Sequence, residues 1–380
     1  MKIRAAVLED MGLAGPYASS RPLRIQEVEL DGPGPGEVLV RIAAAGLCHS
    51  DLSVINGDRP RPLPMVLGHE ASGVVEEVGA GVDDLVRGDH VVCVFVPSCG
   101  HCAPCAQGRP ALCEPGAEHN GKGDLLSGGF RLHRAEERVH HHCGVSCFAE
   151  YATMSRRSLV KVQKEVSLHI AALIGCAVLT GTGAVFNGGD VGPGGKAAII
   201  GLGGVGLAAV MGAVAIGAES VIAIDMFEPK LALARELGAT HTFHGADPDL
   251  VAKVKEATKG GVDAALEFAG SVKALEMSYA ITRRGGTTVT AGLPNPKAVL
   301  SLPAVSLVAE ERTLKGSYLG SGVPSRDIPR FLGLYHRGRL PVDKLLTHRI
   351  KLDDINAGFD RLADGSAIRQ VVEFNREIFT

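Results

Sequence analysis

The chain has 380 residues, 46% hydrophobic and 21% charged, which excludes a disordered polymer and leaves room for two domains or one large one. Its net charge is −3, from 39 basic and 42 acidic residues, and no basic patch dominates, so nothing electrostatic points to nucleic acid. Glycine supplies 49 residues without a three-residue repeat, which excludes collagen and points to tight turns and close backbone approaches.

In the N-terminal segment MKIRAAVLED the acidic pair arrives too early for a secretory segment. No run is expected to reach the ~18 apolar residues of a membrane span. The longest candidate, Val205 to Gly217, is broken by Gly206, Gly212 and Gly217. A cytoplasmic protein without membrane or nucleic-acid partners is expected.

The first part reads as β-structure. Ile3 to Leu8, Leu23 to Leu30, Glu37 to Ala45, Gly73 to Val78 and His90 to Val96 are short β-branched runs divided by turn signals such as Gly32-Pro33-Gly34-Pro35-Gly36. An antiparallel, partly closed sheet is predicted. Near residue 170 the character changes. Lys196 to Gly201 is an apolar strand, Leu207 to Ile216 an apolar helix, and Ser220 to Asp225 a second strand. A polar-faced helix, Pro229 to Leu237, and strands at Val262 to Glu267 and Thr287 to Ala291 follow. Alternating β and α with apolar strands predicts an α/β fold with a doubly wound parallel sheet. The last strand, Arg369 to Phe374, is expected to return to the first domain. The predicted division is 1–177 joined by 321–380, with 178–320 inserted as a Rossmann domain.

Gly201-Leu202-Gly203-Gly204-Val205-Gly206 matches G-x-G-x-x-G, after an apolar strand and at the opening of a helix. Gly201 permits the turn, Gly203 admits a pyrophosphate to the backbone, and Gly206 lets helix and strand pack closely. The helix N-terminus offers free N–H groups to phosphate. Asp225 ends the next strand, where a carboxylate accepts from both ribose hydroxyls and repels a 2′-phosphate. NAD is therefore expected over NADP, with Lys230 within reach of the ribose.

Nine cysteines without an export signal argue against a disulfide framework. Cys99, Cys102, Cys105 and Cys113 share one short loop, and four thiolates so spaced can close a tetrahedron around zinc with no open position. A second set is dispersed: Cys48, His69 and Cys176. Two thiolates and one imidazole would leave a fourth position on zinc free, although a buried cysteine such as Cys176 is also a common small core residue.

With these residues in view, the chain resembles the zinc-dependent medium-chain alcohol dehydrogenase family. The likeness rests on Gly46 to Asp51, Gly68-His69-Glu70, the four-cysteine lobe, Gly175-Cys176, Gly201 to Gly206 with Asp225, Arg312 to Gly316, and Arg369. It covers nearly the whole chain and is strongest toward the branch holding the liver-type and glutathione-dependent formaldehyde dehydrogenases. The resemblance implies a GroES-like β domain plus a Rossmann domain. It also implies two zinc ions per chain: a catalytic one on Cys48, His69 and Cys176, and a structural one on the four cysteines. Asp51 would orient His69, and Glu70 would be a carboxylate able to approach the metal. Ser50 would take the substrate proton, and Arg369 would pair with the cofactor pyrophosphate. The implied reaction is reversible hydride transfer between a primary or aromatic alcohol and NAD.

The sequence departs from that pattern at two places. Ser53 stands where some relatives carry the terminal base of the proton relay, leaving His49 or solvent as acceptor. His49 itself stands where several relatives carry an arginine against the pyrophosphate, and its neutral form would hold the cofactor less firmly. The tract His140-His141-His142-Cys143 reads as packing rather than a third metal site. His142 and Cys143, with Phe95, Arg59, Leu293 and Tyr318, stand between pocket lining and packing. A segment ending at Val299-Leu300-Ser301-Leu302 is expected as an edge strand joining two subunits into a homodimer, or into a homotetramer of such dimers. Two other functions remain open: a thiol-adduct formaldehyde dehydrogenase, against which Arg59 and Arg61 argue where glutathione is the thiol, and a non-catalytic NAD-binding protein.

Overall fold

A computed structural model describes residues 1–374. Two units emerge: Met1–Cys176 with Val323–Pro329 and 346–374, and Ala177–Gly322 with Arg330–Leu345. The C-terminal stretch from 321 thus does not return to the first unit as one block. Phe331, Leu340, Val342 and Leu345 are fully buried, and the Phe331 ring meets Phe186 edge-on at 5.7 Å. That apolar surface keeps 330–345 with the second unit.

The first unit contains a closed barrel and an open sheet. The barrel runs through Lys2–Leu8, Leu23–Leu30, Leu132–Arg134, Glu137–His141 and Met65–Val66. The sheet is built around Glu37–Gly46, whose buried β-branched and small residues can be covered on both faces. This strand pairs antiparallel with Glu70–Val78, Tyr151–Ser155 and Arg369–Glu373. The register sets Gly46 opposite both Glu70 and Val371, and the Leu47 N–H donates to Gln370 O at 3.0 Å. Three chain segments therefore end side by side: the one leading into Cys48, the one holding His69, and the one starting at Arg369.

A fourth segment joins them. Helix Leu168–Leu173 lies on strand Glu70–Val78, tied by the Ser72 hydroxyl to Leu168 O. The chain then widens into a π-helical turn, Ile174–Val178, which carries Cys176. Such turns inside helices are frequent at functional sites. The whole run Leu168–Gly188 is long and apolar enough to cross a membrane by length and composition, contrary to the sequence expectation. Threonines and glycines interrupt it but do not bring its mean hydropathy below that of a membrane-crossing helix, and its apolar window is wholly buried, as in a core helix.

The second unit is a six-stranded parallel sheet. In sequence numbering of its own strands the order is 3-2-1-4-5-6, from His241–His244 through Lys196–Ile200 to Thr313–Gly316. This is the order of dinucleotide-binding sheets, whose crevice opens beside the first strand. The segment Val299 to Leu302 forms no strand in the single chain, and the sheet edge is Thr313–Gly316 instead. Val299 is 81% exposed, so the segment has no sheet neighbour to complete it.

Candidate active site and metal centres

Cys48 caps the N-terminus of helix His49–Ile55, His69 precedes strand Glu70–Val78, and Cys176 sits in its π-turn. Their two sulfurs and one ring nitrogen all lie within 4.8 Å of one another. All three residues are buried, and Cys176 Sγ is 3.5 Å from His69 Nε2. The opposite ring nitrogen, Nδ1, lies 3.1 Å from Asp51 Oδ1. That bond fixes the tautomer and leaves the Nε2 lone pair facing the sulfurs. Gly68 makes the turn possible: its φ is +93°, and a Cβ there would lie 2.6 Å from Phe148 N. The donor set, two thiols and an oriented imidazole without a disulfide, fits a zinc ion with one open position.

Glu70 and Arg369 lie beneath this cluster. Arg369 Nη1 donates to Leu47 O at 3.0 Å and to Glu70 Oε2 at 3.1 Å, and the arginine is 4% exposed. Protein acceptors thus take up the Nη1 of Arg369. Burial pushes the Glu70 carboxyl up to about 7, although the Arg369 charge pulls the other way. Its Oε1 is buried and has no hydrogen bond. Ser50 is half-buried and His49 exposed, both in the first turn of helix His49–Ile55, next to Cys48.

The four-cysteine lobe is a separate centre. The sulfurs of Cys99, Cys102, Cys105 and Cys113 also fall within 4.8 Å of one another. Backbone N–H groups point at them: Cys99 N and Gly116 N onto Cys113 Sγ at 3.1 and 3.4 Å, and Cys102 N onto Cys99 Sγ at 3.3 Å. N–H donors stabilise thiolate charge, so this lobe fits a closed tetrahedral zinc. His101 stands outside the set, with its Nδ1 3.3 Å from Cys99 Sγ. Cys93, by contrast, is a core thiol whose burial pushes it up to about 12.

In the second unit, the glycine loop has the geometry that its sequence predicts. A Cβ on Gly206 would lie 1.8 Å from Gly201 O, so only glycine lets helix Gly204–Ala215 sit this close to strand Lys196–Ile200. A Cβ on Gly203 would meet nothing within 4 Å, which marks open space against the backbone at the helix start. Asp225 is fixed by two N–H donors, Leu202 at 2.6 Å and Phe227 at 3.0 Å. Lys230 Nζ sits over the Phe227 ring at 4.7 Å. Gly204 and Val205 open the helix. The loop, the open backbone and the anchored carboxylate fit a dinucleotide.

Within the histidine tract, His140 and His141 end strand Glu137–His141, and His142 lies in the turn beyond it. His141 is buried, and its Nε2 accepts the Arg131 N–H at 3.1 Å. Burial, with help from the Arg131 charge, pushes it down to about 3. The unfolded chain has an ordinary imidazole near ~6.5 and so binds the extra proton between those values. The stability that neutral His141 contributes is thus complete above pH 6.5 and drains away as pH falls toward 3. Between pH 7 and pH 5 the wild type should lose on the order of 1–2 kcal/mol more than His141→Gln. Unfolding midpoints at the two pH values check this, and equal losses in both proteins would reject it. His142, in that turn, approaches Asp51 and His69, and nothing in local spacing signals that contact.

The comparisons with known proteins agree with this geometry. The Alcohol dehydrogenase GroES-like domain matches residues 34–164, and the Zinc-binding dehydrogenase domain matches residues 204–337. The NDMA-dependent alcohol dehydrogenase of Amycolatopsis methanolica is 43% identical over 98% of this chain and 99% of its own. The S-(hydroxymethyl)glutathione dehydrogenase of Synechocystis is 36% identical over 98% of this chain and 100% of its own. Among solved structures, benzyl alcohol dehydrogenase from Acinetobacter calcoaceticus superimposes with a TM-score of 0.92 at 34% identity, covering 99% of this chain and 100% of that one. Identity of this level over both full lengths shows common descent, and the chain belongs to the zinc-dependent medium-chain alcohol dehydrogenase family.

Proposed function

We propose that the chain oxidises primary or aromatic alcohols to the corresponding carbonyl compounds, reversibly, with NAD as hydride acceptor. The observation that carries this reading is the convergence of Cys48, His69 and Cys176 on one point, with the back of the imidazole secured by Asp51. These residues would hold a catalytic zinc, and Cys99, Cys102, Cys105 and Cys113 a structural one. Zinc in such a site supplies Lewis acidity toward the alcohol or carbonyl oxygen. Ser50, in the same helical turn as Asp51, would take the hydroxyl proton, and His49 or solvent would carry it onward. The buried surroundings of the three ligands exclude bulk water, which strengthens every charge interaction there. The Phe95 ring lies edge-on to His69 at 5.3 Å and offers an apolar wall suited to an aromatic substrate. The solved relative named for benzyl alcohol supports the same class.

A purified chain should reduce NAD with benzyl alcohol and lose that activity to a chelator. NDMA belongs in the same assay, since a close relative is named for it. Two metals per chain with turnover by either acceptor support the reading; a metal-free chain or no alcohol oxidation rejects it. Formaldehyde plus a thiol tests the runner-up, which a relative's name keeps in view.

The anchored Asp225 supports NAD over NADP. Asp225→Asn keeps an acceptor for the loop N–H groups and removes the charge that repels a 2′-phosphate. The NADP-to-NAD ratio of kcat/KM should rise about ten-fold or more. An unchanged ratio would mean that selectivity lies elsewhere. The exposed Val299, Val305 and Val308, at 81%, 73% and 82%, support a homodimer or a homotetramer of such dimers, which light scattering resolves.

A further inference from the structure

Asp51 is fully buried, and its Oδ1 gathers three groups. The Gly68 N–H donates to it at 3.1 Å, His69 Nδ1 lies at 3.1 Å, and His142 Nδ1 lies at 3.2 Å. The third contact is close but not well aligned for a hydrogen bond, and Asp51 Oδ2 and His142 Nδ1 both lack a hydrogen-bond partner. A small rotation of either group would join them. An imidazole can place a proton on Nδ1 in its neutral or its charged form, so this pairing does not depend on titration.

His142 is held in place independently of Asp51. It is 2% exposed, its N–H donates to Ser146 Oγ at 2.8 Å, and that hydroxyl donates to Val66 O at 2.9 Å. Its carbonyl accepts from Val145 and Ser146 N–H at 3.0 and 3.2 Å. The turn is therefore stapled to the strand just before His69. The ring stands edge-to-face on His69, with centroids 5.6 Å apart, and Phe95 stands edge-on to His69 at 5.3 Å. With Asp51 on its Nδ1, the His69 ring turns its Nε2 edge to Cys176.

We infer that His142 is a positioning residue for the catalytic metal site: with Gly68 it fixes the rotamer of Asp51, and through Asp51 it fixes the His69 ring. The inference rests on the reading of Cys48, His69 and Cys176 as metal ligands. It concerns a second imidazole on the carboxylate and not the first, and it predicts that shape alone is insufficient at position 142. A phenyl ring fills the space without a donor, whereas an asparagine supplies an N–H with less bulk.

The test uses the full-length holoenzyme and Co²⁺ exchanged into the catalytic site, with metal retention against a chelator and the cobalt absorption spectrum as readouts. His142→Phe should lose the catalytic metal about ten-fold or more faster and shift the cobalt bands, as second-layer changes around metal ligands do. The four-cysteine metal, counted separately, should be retained. His142→Asn should return most of the retention. In an Asp51→Asn background, His142→Phe should add less than about a two-fold further change, because both act through one carboxylate. Wild-type retention and spectrum in His142→Phe would overturn the inference. So would equal losses in the Phe and Asn variants, or a full additional loss in the Asp51→Asn background. A wild-type chain that takes up no metal beyond the four-cysteine site would overturn the parent reading as well, which separates the two failures.

Discussion

Cys176→Ala should yield a folded chain that holds one metal instead of two and has lost alcohol oxidation. The substitution removes only a sulfur from a buried π-turn. The neighbouring backbone is fixed by other means: a Cβ on Gly175 would lie 2.2 Å from Cys93 O, so the turn is clamped on strand His90–Cys93 whatever follows it. What changes is the ligand count. Four-ligand structural zinc sites are worth about 10–16 kcal/mol, so one ligand carries roughly a quarter, or two to three orders of magnitude in affinity. With two protein ligands left, the ion should be stripped by a mild chelator. The four-cysteine metal should remain, because its ligands all come from Cys99 to Cys113. Metal analysis after dialysis, together with turnover of an alcohol by NAD or NDMA, checks both halves. A variant that keeps two metals, or keeps its activity with one, would show that the ion does not depend on Cys176. The catalytic assignment would then fail.

How much of this site could be read from the sequence depends on how local each part is. The four cysteines share one short loop, and the glycine loop joins one strand to one helix, so ordinary spacing reveals both. Cys48, His69 and Cys176 come together only through sheet register, with Gly46 opposite Glu70 and helix Leu168–Leu173 laid on that strand. No residue interval encodes that meeting; the resemblance to a family brought it forward. The contact of His142 with Asp51 was not legible at all, because it depends on a turn stapled through Ser146 to Val66. The alternating strands of the second unit were legible because buried parallel strands are continuous apolar runs. The apolar run Leu168–Gly188 was missed because scattered threonines and glycines hide its mean hydropathy from a search for unbroken apolar stretches. The segment from 330 to 345 was misplaced for a different reason. Helix Pro324–His336 looks the same from sequence whichever unit it serves, and the partner of its Phe331 lies at Phe186, far away along the chain.

Cys113→Ala should produce the opposite phenotype to Cys176→Ala: the loss is of structure first. Cys113 is fully buried at the junction between the short helical turn Pro110–Leu112 and helix Glu114–Lys122. Its sulfur accepts N–H bonds from both flanks of the lobe, Cys99 and Gly116. The lobe has little else to hold it. Between Cys99 and Leu112 only Ala111 is buried, so apolar burial contributes little there. A metal on the four thiols would provide the cross-link that a hydrophobic core otherwise provides, by binding the folded and not the unfolded loop. Without Cys113 the remaining thiols cannot close a tetrahedron, and the two N–H groups lose their acceptor. The expected result is loss of the second metal, a stability loss of several kcal/mol, and rapid protease cleavage confined to the lobe at first. The catalytic metal should persist at low temperature, because Cys48, His69 and Cys176 are set by strand register and not by the lobe. Limited proteolysis followed by mass analysis, with metal content measured on the same sample, separates the outcomes. A variant as resistant as the wild type, with its lobe intact and only one metal per chain, would show that the loop folds on its own contacts and that its four thiols do not staple it.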